Sequence, residues 1–223
     1  MYKRQHFRRF VDPTFQYGIA LAQVTGRLVL RAAQAELIPS QQSDFAGSVA
    51  GYSEELHALV ESTRAKDREL GKLLDDGAYR LAADPQAPRA APPRAEDVPT
   101  VNFAELDAAV KRLQSSAAAF DLEYKRVAAG DDADSKVARV RLNAALAGLE
   151  QTLTDPRGLP GRQWYHHMIY APGARTGYGV KTLPGIREAF EDRRWDDAAR
   201  YLGVVAHALN AYSAQLDRAV GTP

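Results

Sequence analysis

The sequence has no cysteine among its 223 residues. This excludes disulfide scaffolds, thiolate zinc sites, Fe–S clusters and thiol nucleophiles within the chain. Net charge is almost absent as well, with 29 Lys and Arg against 28 Asp and Glu for a balance of +1. Near-neutrality removes the clustered basic surface on which phosphate affinity rests, so no nucleic-acid partner is expected. The most apolar run, Gly18 to Ala22, soon meets Gln23 and Arg27, well short of the roughly 18 residues of a membrane span. Met1 to Arg9 is basic but lacks the apolar core and small-residue cleavage site of a secretory leader. No G-x-G-x-x-G, G-x-x-x-x-G-K-[ST] or G-x-S-x-G signature occurs, and His6, His57, His166, His167 and His207 make no H-E-x-x-H pattern. The remainder is ordinary for a globular chain, 45% hydrophobic and 26% charged, and long enough to bury about 70% of its unfolded surface.

Helical periodicity dominates. From Pro13 to Ile38 apolar residues prevail while Gln16, Gln23, Arg27, Arg31 and Gln34 share one narrow sector. With Asp12 as N-cap, Pro13 at the first position and Pro39 as the stop, this predicts a helix of about 26 residues and ~39 Å, buried over most of its circumference in a bundle or at a subunit interface. A second helix is predicted over Asp44 to Leu74 from Phe45, Val49, Tyr52, Leu56 and Leu59, resuming at Leu70 and Leu73. Residues 84–100 hold Pro85, Pro88, Pro92, Pro93 and Pro99, which predicts a solvated, partly extended connector. Asn102 with Glu105 makes a capping-box pattern and Val101 with Leu106 a hydrophobic staple, starting a third helix whose stripe runs from Phe103 to Val127. Gly130 and Asp131, Asp132 and Asp134 form the turn into a fourth, Ser135 to Leu153.

Between Thr154 and Thr182 the periodicity stops, and Trp164, Tyr165, Met168, Ile169, Tyr170 and Tyr178 crowd among Gly and Pro. A loop this long and aromatic is expected to be packed and functional. Helix returns over Pro184 to Arg193 and from Trp195 to Leu216, with no competing alternation of strand type. The expected fold is all-α, an antiparallel helical bundle carrying a long Gly/Pro/aromatic loop before its last helices. His166 and His167 read as loop histidines bonding nearby backbone, and the Glu54–Glu55, Asp75–Asp76 and Asp196–Asp197 pairs as solvated or capping residues. The residues alone therefore supply no catalytic group.

The loop also carries a specific text. Asp155-Pro156-Arg157-Gly158-Leu159-Pro160-Gly161-Arg162, followed by Trp164-Tyr165-His166-His167-Met168-Ile169-Tyr170-Ala171-Pro172, resembles a signature of the transferrin-receptor-like dimerisation domain, the C-terminal helical part of glutamate carboxypeptidase II-like peptidases. Phe10-Val11-Asp12-Pro13-Thr14-Phe15 with Ala22-Gln23-Val24, and Tyr178 with Leu183-Pro184-Gly185-Ile186, resemble two further segments of that family in the same order.

The resemblance implies residues 1–9 as a remnant behind a catalytic domain and 10–223 as a helical dimerisation domain. It implies a homodimer and an upstream peptidase domain that supplies two zinc ions, their ligands and the general-base glutamate. It also implies a peptide substrate and a parent protein that is periplasmic or secreted. The family's last zinc histidine has no counterpart here, since His6 stands too close to Phe10 and lacks its Ser and Tyr neighbours. A Lys-Tyr pair of the family contacts the carboxylates of a glutamate substrate; Tyr178 matches the tyrosine, and Gly177 stands at the lysine's place. Lys181 or Arg175 offers a replacement charge from the same loop, giving Tyr178, Lys181 and Arg175 as the candidate substrate-binding residues. The alternatives are the same domain in a non-catalytic receptor-type protein, or a free-standing helical scaffold.

Overall fold

The computed structural model describes residues 2–81 and 90–221. Helix α1 (Tyr2–His6) runs into a π-helical turn, Phe7–Val11, and is followed by α2 (Gln16–Gln34), α3 (Gln42–Asp75), the short α4 (Ala78–Leu81), α5 (Ala104–Ala129) and α6 (Ala133–Thr152). Two three-residue strands, β1 (Tyr170–Pro172) and β2 (Val180–Thr182), precede α7 (Pro184–Glu191) and α8 (Trp195–Val220).

The core lies between α3, α5, α6, α7 and α8. Phe120, Leu56, Leu106, Leu113, Leu142 and Leu209 are fully buried in it, each on a stripe that the sequence pattern marks. Side chains meet in antiparallel order between α3 and α5, where His57 lies beside Asp107 and Gln42 beside Asp121. Between α6 and α8, Gln215 reaches the carbonyl of Ala145. The α5–α8 pair instead runs parallel, Glu105 facing Gly203 and Arg112 facing Asn210. The fold is thus the expected all-α bundle, with its central pair parallel.

Helix starts differ from the sequence signals wherever the cap comes from elsewhere. The Gln42 and Ser43 amides, at the start of α3, donate to the two carboxylate oxygens of Asp121 on α5, both at 2.9 Å. A cap supplied 78 residues away has no local signature. At α5, Asn102 Oδ1 accepts from the Ala104 amide at 3.0 Å, one residue tighter than a capping box, and the helix begins at Ala104. Helix α6 begins at Ala133, two residues before the expected Ser135, and Asp132 of the acidic turn caps it, accepting from the Ser135 amide at 2.8 Å, a bond that holds its carboxyl below the ordinary aspartate range.

The first predicted helix is the largest departure. It is shorter, Gln16–Gln34, because Phe15 adopts a left-handed conformation at φ 57° and Asp12 turns inward, its buried carboxylate accepting from the Gly18 amide at 2.8 Å. None of its residues is buried: Tyr17, Ile19, Leu21, Val24, Leu28, Val29 and Leu30 are all exposed. Its base is nonetheless fixed. The Ile38 amide donates to Asn143 Oδ1 and Asn143 Nδ2 donates to the Glu36 carbonyl, each at 2.8 Å, while Tyr124 Oη reaches the Ile38 carbonyl at 3.1 Å.

Residues 84–89 of the proline-rich connector lie outside the described residues. From residue 90 to Thr100 the chain has no regular structure, as expected, yet it is strapped to the bundle rather than free in solvent. Arg64 donates to the Pro99 carbonyl at 2.8 Å, Arg193 to the Glu96 carbonyl at 3.0 Å, Arg94 pairs with Asp75, and Val98 packs against the core.

Candidate functional site

The aromatic loop is built from its own turn chemistry. Asp155 receives Arg157 through two side-chain bonds and the Arg157 amide, which together hold its carboxyl below the ordinary range. Gly158 turns the chain at φ 65° in a space that admits no Cβ, since the Gln163 carbonyl oxygen would lie 2.2 Å from one. Tyr201 of α8 donates to the Gly158 carbonyl at 2.6 Å, and its ring packs so closely on Gly185 that a Cβ there would meet it at 2.3 Å. Burial raises the Tyr201 phenol above its ordinary pKa.

His167 ties the loop to α6. Its Nδ1 accepts from the Ile169 and Tyr170 amides at 3.2 Å, which places the proton on Nε2, 3.0 Å from Glu150 Oε2. This is the local backbone role that the sequence suggests. Next comes a hairpin absent from the sequence pattern, with Tyr170 opposite Thr182 and Pro172 opposite Val180. Three-residue strands carry too few residues for an alternation to register. Tyr170 stands edge-on to Tyr52, ring centroids 6.0 Å apart. Burial, and then its hydrogen bond with Tyr52, push the Tyr170 phenol up to about 12.

That shift has a sign. The folded chain keeps this proton to about pH 12 whereas the unfolded chain releases it near 10.0, so above pH 10 deprotonation favours the unfolded state. Stability measured by urea unfolding should therefore be full below pH 10 and fall as pH rises toward 12. Tyr170→Phe should make that fall shallower, Tyr201 and Tyr212 accounting for the rest.

Beneath the hairpin, Arg162 donates to the Pro172 carbonyl and sits 2.5 Å from Glu188 Oε2, both side chains largely buried. The other Glu188 oxygen accepts from the Ala174 amide at 2.8 Å. One buried ion pair thus sets where residues 173–179 leave the hairpin. The sequence shows Arg162 only as the end of the Asp155–Arg162 run and does not show the pairing, because Glu188 reads only as a polar position on an amphipathic helix. The tip closes on itself, the Gly173 amide donating to the Gly179 carbonyl at 2.8 Å and Gly177 at φ 63° making the bend.

The three candidate residues fall in two places. Tyr178 projects from the tip, fully exposed, near exposed Val180. Lys181 and Arg175 line a cleft of about 270 Å³ between the loop and the end of α7, where each meets a carboxylate: Lys181 Nζ lies 2.5 Å from Glu191 and Arg175 Nη2 2.8 Å from Asp192. Chemically the arrangement can bind and orient through a phenol and through backbone groups. Among the described residues no group of three or more His, Asp or Glu could hold a metal ion. No helix among them is long and apolar enough to cross a membrane.

A family profile described as the transferrin receptor-like dimerisation domain matches residues 101–217, just over half of the chain and the whole of this loop. The chain belongs to that family. Relatives extend the likeness beyond the match. The dimerisation-domain chain is 26% identical over 209 residues to the probable glutamate carboxypeptidase LAMP1 of Arabidopsis thaliana, 90% of this chain and 24% of the plant protein. To the aminopeptidase NAALADL1 of Rattus norvegicus it is 24% identical over 219 residues, 95% of this chain and 24% of that one. A shorter likeness, 43% over 47 residues, links it to the inactive zinc metalloprotease C354.09c of Schizosaccharomyces pombe, covering 21% of this chain and 6% of the yeast protein. The chain thus spans about a quarter of the length of the first two relatives.

Proposed function

We propose that this chain is the dimerisation unit of a longer glutamate carboxypeptidase-like zinc peptidase, holding two copies together and lending its hairpin loop to a substrate pocket. The zinc ions and reactive groups come from the rest of the polypeptide, and the substrate is a peptide. The observation that carries the reading is the dimerisation-domain match, which contains the buried Arg162–Glu188 pair that positions an exposed, tyrosine-tipped loop. Such a loop serves a pocket better than a packing role, because the Tyr178 side chain is fully exposed and is not packed against the described residues.

Helix α2 supports the assembly half of the reading. At 100° per residue, Tyr17, Leu21, Val24 and Leu28 form one ridge while Ile19 and Leu30 form another on about the opposite side, separated on one flank by the Gln and Arg sector. A single partner helix covers an apolar stripe of roughly 100°. Two bodies are therefore needed to cover α2, the peptidase body of the same polypeptide and the twin subunit.

Sedimentation velocity tests the assembly. The chain should sediment as a dimer at micromolar concentration, and Leu21→Glu with Leu28→Glu should shift it to monomer while the far-UV spectrum is unchanged. A wild-type chain that stays monomeric overturns self-association through this unit. In the longer protein, Tyr178→Phe should lower kcat/KM for peptides; an unchanged specificity constant overturns the pocket role.

A further inference from the structure

Arg175 and Lys181 are the two cations of the loop tip, and both are already matched. Lys181 Nζ lies 2.5 Å from Glu191 Oε1, the last residue of α7, and Arg175 Nη2 lies 2.8 Å from Asp192 Oδ1, its C-cap. A third carboxylate of the same cleft, Glu188, is shared between Arg162 at 2.5 Å and the Ala174 amide at 2.8 Å. Behind it Arg194 lies 3.7 Å from Asp192 Oδ2 and pairs mainly with Asp197. The cleft itself therefore presents two cations to three carboxylates.

The cleft also opens at the C-terminal end of α7, where the helix dipole makes the local field negative. Both loop cations are favoured there and an incoming anion is not. A ligand carboxylate would have to displace Glu191 or Asp192 and remain beside the two acids left in place. An uncharged ligand meets no such opposition.

We propose that Glu191 and Asp192 are specificity-determining residues that silence Lys181 and Arg175, so that the site completed by this loop takes peptides with an uncharged side chain toward the loop and rejects acidic ones. This rests on the pocket-completing reading above and is the alternative to the sequence expectation that either cation replaces the charge missing at Gly177. The loop's recognition is left to the Tyr178 phenol and to backbone groups.

The experiment uses the whole chain, isotopically labelled, with glutarate as the anionic probe and glutaramide as its neutral counterpart, read by the amide resonances of residues 173–182. Wild type should give no stronger response to glutarate than to glutaramide. Glu191→Gln with Asp192→Asn should bind glutarate on the order of tenfold more tightly than wild type, the gain of a charge-assisted bond, with glutaramide unaffected. Glu191→Asp, which keeps the charge, should stay silent. Saturable, charge-dependent glutarate binding by wild type overturns the proposal, as does a folded double variant that gains none. If the double variant does not fold, the wild-type comparison of the two probes still decides. Because the loop is read directly, the outcome is independent of self-association and of turnover in the longer protein, where failure would instead strike the parent reading.

Discussion

Phe120→Ala is expected to lower the unfolding free energy by about 3–5 kcal/mol, the range for deleting a fully buried aromatic ring. Phe120 is completely inaccessible on α5, the helix that packs against α3, α6 and α8, and its ring lies 6.4 Å from that of Tyr124. The ring is fully buried on a helix held from three sides, so collapse into the vacated volume is limited and the cavity term stays large. Domains of this kind have about 5–15 kcal/mol in total, so the substitution removes a large share of that stability. Urea unfolding checks this through a lowered midpoint at unchanged slope, with Leu122→Ala, two residues away and 70% exposed, as the control expected within about 0.5 kcal/mol of wild type. Equal effects for the two would mean that α5 is not the centre of the core.

Gly158→Ala should cost about 2–5 kcal/mol, combining left-handed backbone strain with overpacking. The glycine has φ 65°, and the clash is with backbone, the Gln163 carbonyl oxygen at 2.2 Å and carbon at 2.6 Å, which cannot rotate away as a side-chain tip can. Relief must move the turn itself, and the bond from Tyr201 Oη to the Gly158 carbonyl is the first interaction to stretch. Gly161 supplies the internal comparison, since it has φ 68° with nothing within 4 Å of an added Cβ. Gly161→Ala should therefore cost only the strain, about 1–2 kcal/mol. Matching losses in the two variants would show that the close approach at Gly158 carries no energy. Trp164 fluorescence should change in the Gly158 variant, because that exposed indole sits just beyond the displaced segment.

The contrast between these two glycines shows how far the sequence could be read. The motif containing Gly158 was visible as text, and with Tyr178 and Leu183-Pro184-Gly185-Ile186 it identified the family that the match over residues 101–217 shows. Neither the geometry nor the reason for the glycines shows in the text, because Gly158 is fixed by the close approach of the Gln163 backbone and Gly185 by the Tyr201 ring, contacts that only the folded chain makes. The candidate site divides in the same way. Tyr178, Lys181 and Arg175 were named from one loop, but only packing against α7 distinguishes the exposed phenol from the two cations held by Glu191 and Asp192. The buried Arg162–Glu188 pair, 26 residues apart, left no periodic or spacing signal.

By itself the sequence determined the helical class, the stripes of α3, α5, α6 and α8, the break over the aromatic loop and the family. The helical stripes and their break depend on residues within a few turns of one another, a 3.6-residue period being a local property of the chain, and the family is carried by short runs that are each contiguous in the sequence. Tertiary structure alone decided that α5 and α8 run parallel, that Asp121 caps α3, that the connector is strapped by Arg64 and Arg193, and that α2 stands uncovered. An apolar sector states only that a face must be buried, because the hydrophobic effect has no direction and names no partner. The partner follows from which surfaces the completed bundle leaves free.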